Sequence, residues 1–462
     1  MSFITSFLTS WKDLSVHKKI WALTLPMILS NLSVPLVSLV DTMVMGRLPE
    51  AQNLAAVTVG STTYLFIVGC LGFFRMGTIG FTAQAVGRKD GTALRQVLIQ
   101  SLLLATGIAA IVIVLASPFY QLTLYWIQPN QQFHESAQQF FNWRVLGLPA
   151  ALINNTLVGW YLGSQNARIP LLILIITNII NMVLSVWFVL YLGKGVTGAA
   201  QAALIAEWSG CIIGFCFIST PLKKYTGQWL FTYLKNWHSW KPLLSVNRDI
   251  FIRSLTLQCV FFLLMIEGAK LGENTVAANT LIINGLTITA YILDGFAYAI
   301  EALCGKAIGR QNKILFHKIL MVSCGWALIA SLLFAACFFE LGVYFINMQT
   351  TILELREHAY PLIPYLAVLP LITVWSYLLD GLFISATRAK EMRNSMLLAF
   401  IICLPLGFLL QSFANTGLWI TFLTFMALRS IILGYTAWKI EQRNQWIEPN
   451  QQRTEQKTIQ EM

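Results

Sequence analysis

Asp41 stands in a stretch, Ile20–Met45, that holds no other charged residue. The stretch is long enough to cross a bilayer, which takes about 20 residues. A carboxylate in hydrocarbon costs roughly 2.5–3.5 kcal/mol on insertion scales, so one kept there is usually functional. Asp41 therefore reads as a proton or cation site. Pro26 and Pro35 precede it. Proline removes a backbone donor and clashes with the preceding turn, which predicts a bent or broken helix with freed carbonyls near the acid. The plain alternative is an acid at a helix end, snorkelling toward the headgroups.

Asn178 and Asn181 are three residues apart and Ser185 is four further on, so the three share one helix face. With Asp41 and the pair Asn154 and Asn155 they could build an amide-and-acid pocket among the first, fourth and fifth spans. Buried amides also serve simply to tie membrane helices together. In the second half, Tyr291, Asp294, Tyr298 and Glu301 recur every three to four residues along one span. Asp380, with Tyr377 close by, is a further acid at membrane depth. These residues are candidates for a second proton or sodium pathway, or for internal pairing with Lys270, Arg253 or Arg75. No cysteine pair, His–Glu motif or acidic cluster has metal-ligand spacing.

The elements that must position these groups follow from composition. The chain is 56% hydrophobic and 11% charged, with a mean hydropathy of +0.66, whereas a soluble domain carries about 25% charge. Apolar spans recur along the whole length, at 20–45, 54–78, 96–120, 138–163, 169–192, 196–220, 250–271, 276–304, 318–339, 360–386, 395–413 and 416–438. Pro129 with Asn130, and Asn415 with Gly417, supply turns between spans. The fold class is an all-α membrane protein of twelve transmembrane helices. The first residues lack an apolar signal core followed by a small-residue cleavage site, so the first span is expected to be retained.

The net charge of +11 would suggest nucleic acid in a soluble protein; here its distribution matters more. Lysines and arginines crowd the N-terminus, the loop with Arg88, Lys89 and Arg95, the central segment, the loop with Lys306, Arg310 and Lys313, and the tail. The opposite side has Arg47, Arg144, Lys194, Lys270 and Arg356, and Arg75 and Arg429 fall inside spans. The positive-inside rule then places both termini in the cytoplasm. All eight cysteines fall in spans and read as small packing residues.

The two halves overlay at a shift of 222 positions. Gly46 meets Gly268, Ala55 and Ala56 meet Ala277 and Ala278, and Ala85, Gly87 and Arg88 meet Ala307, Gly309 and Arg310. Gly159 then meets Gly381, and Ala167 meets Ala389. Six spans per half gives both halves the same orientation, related by an axis along the membrane normal. The expected organisation is a six-helix bundle over 1–220, a basic cytoplasmic linker over 221–247, a second bundle over 248–445 and a polar tail over 446–462. Glycines and alanines match in this overlay, but polar groups do not. Asp41 meets Leu263, and Asp380 meets Val158.

The run PMILSNLSVPLVSLVDTMVMGRL, followed by FRMGTIGFTAQAVGRKD, resembles the start of multidrug and toxic compound extrusion (MATE) transporters. YILDGFAYAIEALCGKAIGR and YLLDGLFISATRAKEMRNSM are similar to the DinF branch of that family. The likeness covers nearly the whole chain. It implies two six-helix bundles enclosing a central cavity, and export of amphipathic, often cationic compounds in exchange for protons or sodium. By the same resemblance Asp41 matches the family's first-helix acid, Asn181 the fifth-helix asparagine that partners it, and Asp380 the tenth-helix acid of sodium-coupled relatives. Two departures stand out: the usual fifth-helix acid is Ser185 here, and a threonine common in the sixth span is Ala203.

The expected activity is proton-coupled export by alternating access. Sodium coupling and a lipid-linked oligosaccharide flippase are the alternatives. No nucleophile with its base suggests an enzyme. No cofactor is expected beyond the coupling ion, the proton or in the alternative sodium. The expected partners are amphipathic small molecules and the bilayer of a bacterial inner membrane, not nucleic acid, with a single chain as the working unit.

Overall fold

The computed structural model describes residues 9–45, 61, 64–118, 120–121 and 134–447. Among them the chain is helical without a strand, and 12 helices are long and apolar enough to cross a membrane. In chain order these are α1 (Leu14–Met45), α2 (Phe73–Arg88), α3 (Gly91–Val114), α4 (His134–Gly163), α5 (Arg168–Val186), α6 (Gly195–Cys216), α7 (Trp237–Lys270), α8 (Glu273–Gly309), α9 (Lys313–Gln349), α10 (Ile363–Ser385), α11 (Ala389–Leu409) and α12 (Ala414–Gln442). The expected turn at Pro129 and Asn130, the loop residue Arg47, the overlay positions Gly46, Ala55 and Ala56, and the tail from residue 448 lie outside the described residues.

Two expectations change. The second span, predicted at 54–78, continues as helix to Arg88, while its expected start over 54–60 lies outside the described residues. Its later part is rich in small residues, and Gly77, Gly80, Ala83, Ala85 and Gly87 are all buried. Such a segment packs against protein rather than lipid, so its hydropathy falls while the helix continues. The second change concerns α1, expected to be bent or broken: it is not broken, although Pro26 and Pro35 lie within it. Each proline removes one donor, but unwinding in hydrocarbon would leave further backbone groups unsatisfied. Ser30 and Ser33 add hydroxyl bonds to the carbonyls of Pro26 and Ser30, at 2.8 and 2.6 Å.

The repeat is visible in the backbone at positions where residue identity has changed. The turn closing α4 has Gln165 at φ 68°, and Thr387, 222 positions later, has φ 57° after α10. The Asn166 amide donates to Tyr161 at 3.0 Å and that of Arg388 to Phe383 at 2.9 Å, the same bond in both halves. Lys89 and Gln311 form a second matched pair, at φ 59° and 56°. The residues after them, Asp90 and Asn312, cap α3 and α9 by accepting from Ala93 and Leu315 amides, each at 2.9 Å. A side-chain oxygen at that position satisfies a donor that the helix cannot. Gly159 and Gly381 complete the pattern. A Cβ on the first would collide with the carbonyl of Arg75, and on the second with that of Ala297, again 222 positions on.

The chain divides into two compact units, an N-terminal one of residues 22–82 and 90–259 and a C-terminal one of 1–21, 83–89 and 260–462. In a bilayer, lipid is as apolar as leucine, so helices associate through close packing and hydrogen bonds. In the N-terminal unit the buried Trp160 and Tyr161 of α4 donate to the carbonyls of Leu94 and Gly214, at 3.0 and 2.6 Å. Arg95 at the start of α3 is buried and donates to the carbonyls of Tyr225 and Leu222, at 2.8 and 3.1 Å, holding the basic linker. In the C-terminal unit Trp419 and Asn415 of α12 converge on Asn279 of α8, at 2.8 and 2.9 Å. The foot of α1 is set there too. Trp326 donates to His17 Nδ1 at 2.9 Å, and Lys318 pairs with Asp13 at 3.0 Å. Of the cysteines, Cys70, Cys211, Cys304 and Cys403 are buried as expected, while Cys216 and Cys337 are exposed.

Candidate functional site

The N-terminal unit brings α5 against α1 through the predicted polar face. Ser185, fully buried, donates to Asp41 Oδ1 at 2.8 Å. Asn178, two turns earlier, donates to Ser33 Oγ at 2.5 Å. Asn181 lies between them, its Oδ1 buried without a hydrogen-bond partner. Spacing alone accounts for this, since residues three and four apart line one side of a helix. Immediately after, the backbone widens into a π-turn over Trp187–Tyr191, a feature frequent at functional sites.

Asn154 takes a different place from the one expected. Its amide donates to the Glu207 carbonyl of α6 at 2.7 Å, and it packs against Gly210 of the same helix. It ties α4 to α6. Asn155, the next residue, is half-buried. The cause is helical geometry: adjacent residues point about 100° apart, and the face of α4 that carries Asn154 is the one on α6.

A charged group beside this face was not foreseen. Arg144 of α4 pairs with Glu207 of α6 at 3.1 Å, and both side chains are only 15% exposed. Tyr64 donates to the same Glu207 oxygen at 3.3 Å, and the Arg144 guanidinium stacks 4.1 Å over the Tyr64 ring. Gly147, one turn from Arg144, leaves room for the other carboxylate oxygen, which a Cβ would meet. Arg144 also lies within electrostatic reach of Asp41. The sequence counts Arg144 among the charges of the outer side; the structure buries it between α4 and α6. Opposite charges within two apolar spans of one half were the available signal, because a lone charge there is costly.

In the C-terminal unit Asp380 of α10 forms an ion pair with Arg429 of α12, and both are buried. Ser376 and Ser430 share a hydrogen bond of 2.6 Å between the same two helices, one turn away. Arg429, which the sequence places inside a span without a partner, is thus an ion-pair partner of Asp380. Lys270 instead pairs with Glu267 three residues earlier on α7, at 2.6 Å. A guanidinium suits a buried carboxylate better than an ammonium, since its planar donors match the two oxygens. On α8, Tyr298 and Glu301 are each 2% exposed, so this end of the stripe is packed inside protein. Tyr291 and Asp294 are half-buried within electrostatic reach of each other, and Tyr377 is half-buried on α10. Among the described residues no group of His, Cys, Asp or Glu is arranged to hold a metal ion.

The MatE family model matches this chain twice, over residues 26–187 and 250–409. The chain belongs to the MatE family of transporters. The two matches end 222 positions apart, the same shift that relates the helix caps. Over 432 residues this MatE protein is 40% identical to DNA damage-inducible protein F of Escherichia coli (strain K12), covering 93% of this chain and 94% of that one. A probable multidrug resistance protein NorM of Photorhabdus laumondii is 24% identical over 362 residues, 74% of this chain and 75% of that one. Among solved structures, an outward-facing multidrug resistance MATE family transporter superposes with a TM-score of 0.82 at 19% identity, covering 92% of this chain and 96% of that one. That likeness concerns the fold. The MatE chain is a multi-pass membrane transporter.

Proposed function

We propose that this MatE transporter is a secondary exporter of amphipathic, cationic small molecules driven by the proton gradient, in a bacterial inner membrane with both termini in the cytoplasm. The observation that carries the reading is the contact between Asp41 and Ser185. A hydroxyl donates to a carboxylate and equally accepts from a carboxylic acid. Asp41 can therefore gain or lose a proton without leaving its partner unsatisfied. Export then follows if proton and substrate prefer different states of one site, which is what couples their affinities.

Sodium is the less favoured coupling ion, because it would call for several oxygen ligands and this face offers one carboxylate, two amides and a hydroxyl. The pairing of Arg144 with Glu207 and of Arg429 with Asp380 supports an exporter of cations over a flippase of pyrophosphate-linked lipids, which needs basic groups turned to its substrate. The basic residues that crowd one side support the orientation. Purified protein in liposomes tests the reading. An imposed pH gradient should drive uptake or release of a cationic dye, and dye movement should carry protons. Transport driven by sodium at zero pH gradient, or lipid scrambling without proton flux, would replace it.

A further inference from the structure

A cavity of about 550 Å³ lies wholly within the N-terminal unit, between the second span, α3 and the first half of α7. Ligand pockets usually measure about 300–1,000 Å³. Leu104, Ile108 and Val112 recur every four residues on one side of α3, and Phe251 and Leu255 of α7 with Phe73 of the second span continue the apolar wall. Two polar residues, Asn247 and Arg248, line it together on the side where the linker enters α7. Asn247 packs on Gly77, next to the expected ends of the second and seventh spans at 78 and 250. That puts the polar side at headgroup level and the apolar wall at hydrocarbon depth. Leu115, just past α3, also lines the cavity and is exposed, so the cavity can be entered from outside the unit.

We infer that this cavity holds one anionic phospholipid, with acyl chain against the α3 wall and phosphate on Arg248. Asp249 accepts from Nε and Nη2 of Arg248, at 3.1 and 3.0 Å, which takes two of the five donors of a guanidinium. The Asp249 side chain is 4% exposed and that of Arg248 62%. The buried carboxylate thus orients the guanidinium and leaves donors for a phosphate, which its planar fork suits. Lys241, two turns earlier on the same side of α7, is exposed. Asn247 is buried and its Oδ1 has no hydrogen-bond partner, so hydrogen-bonding capacity is left at headgroup level. The linker exposes Trp229, Phe231 and Trp237 among Lys223, Lys224 and Lys235. Aromatic side chains of this kind mark the membrane interface, and lysines there attract anionic lipid. Gln100 of α3 donates to Ser239 at 3.0 Å and ties that segment to the foot of the cavity. A cationic substrate is ill suited to a site whose polar side is itself cationic. Only the name of the leaflet, the cytoplasmic one, rests on the orientation proposed above.

Native mass spectrometry of purified protein, titrated in detergent with palmitoyl-oleoyl phosphatidylglycerol or phosphatidylcholine, counts the lipids held. Wild type should hold one phosphatidylglycerol about tenfold or more tightly than phosphatidylcholine, as a charged hydrogen bond would give. Arg248→Gln should bring the two lipids within about threefold of each other. Asp249 loses a partner in that variant, so Ile108→Trp provides a second test that leaves the charges alone. The larger ring fills the apolar wall, and the bound lipid of either kind should be lost while thermal unfolding stays near that of wild type. Equal affinity of wild type for the two lipids would overturn the inference, as would full selectivity in Arg248→Gln or a lipid still held by Ile108→Trp. Displacement of the lipid by tetraphenylphosphonium, a lipophilic cation, would overturn it too and make the cavity a substrate site. No gradient is imposed, so loss of the lipid site leaves the proton-coupled reading standing.

Discussion

Asp41 and Asp380 are both aspartates inside membrane-spanning helices, and their partners are of opposite kinds. Asp41 receives a hydroxyl from Ser185. Asp380 receives the guanidinium of Arg429, in a site where both side chains are less than a tenth exposed. A hydroxyl serves a charged or a neutral carboxyl equally. A guanidinium does not lose its proton in proteins, so neutralising its carboxylate would strand a buried cation. The first arrangement leaves the charge state of the acid open, and the second closes it. Two halves that share helix caps and glycine contacts at a constant shift of 222 positions have thus kept their packing and separated their chemistry.

That contrast can be broken at several points, the largest effect coming first. Asp41→Asn keeps the shape and much of the hydrogen bonding but removes the titrating group. Proton-coupled efflux in liposomes should fall to the protein-free background while expression and monodispersity stay normal. Undiminished efflux would remove Asp41 from the mechanism.

Asp380→Asn should act on stability instead. Removing one partner of a buried pair costs about 3–5 kcal/mol, so thermal unfolding should move sharply downward and folded yield should drop. Adding Arg429→Gln should recover most of that loss, because no lone charge remains. A well-folded Asp380→Asn protein that has lost coupling would show that the second acid is also used in transport, and the contrast would collapse.

Ser185 offers a smaller, sharper change. Ser185→Ala removes one hydrogen bond, a matter of about 1 kcal/mol, and should slow efflux severalfold without abolishing it. Ser185→Asp places two carboxyls in contact, which titrate as a pair. The pH profile of efflux should then show two steps in place of one. An unchanged profile would put position 185 outside the coupling site.

The smallest effect is expected at Asp13, outside the spans. The Ser15 hydroxyl, and after it Lys318, hold its carboxyl at about 2, against an ordinary value of 3.8. A depressed acid stabilises the fold above its unfolded value and loses that contribution as pH falls through its folded value. The contribution is therefore intact at neutral pH and fades between about pH 4 and about pH 2. Asp13 is exposed, and such pairs are screened by salt. Asp13→Asn should leave unfolding at pH 7 and moderate salt almost unmoved, and a large drop would mean that the foot of α1 matters more than its exposure suggests.

Much of this was legible in the chain itself. Hydropathy found every span but not every boundary: α7 begins at Trp237, inside the expected linker, α9 runs on to Gln349, and α2 continues past 78 where it turns to small residues packed on protein. The contact of Ser185 with Asp41 followed from spacing on α5 and from the cost of an acid in hydrocarbon. Asn154 misled because an asparagine reads the same whether it lines a pocket or ties two helices. Arg144 was read only as an outer-side charge, because its partner Glu207 lies on another helix. Asp380 and Arg429 could have been matched by elimination, as buried opposite charges, but nothing in one sequence says that α10 and α12 adjoin at that depth.

The sequence by itself determined the twelve-helix class, the repeat and the presence of a few costly polar groups at membrane depth. These depend on composition and on local periodicity, which each stretch of chain carries alone. Only the tertiary structure decided which charge answers which. Partners such as Arg144 and Glu207, or Asp380 and Arg429, sit on different helices, and their meeting depends on how each helix is rotated about its own axis. That rotation is set by the summed packing of small residues such as Gly147 and Gly159 against their neighbours, a property of the assembled bundle that no single segment holds.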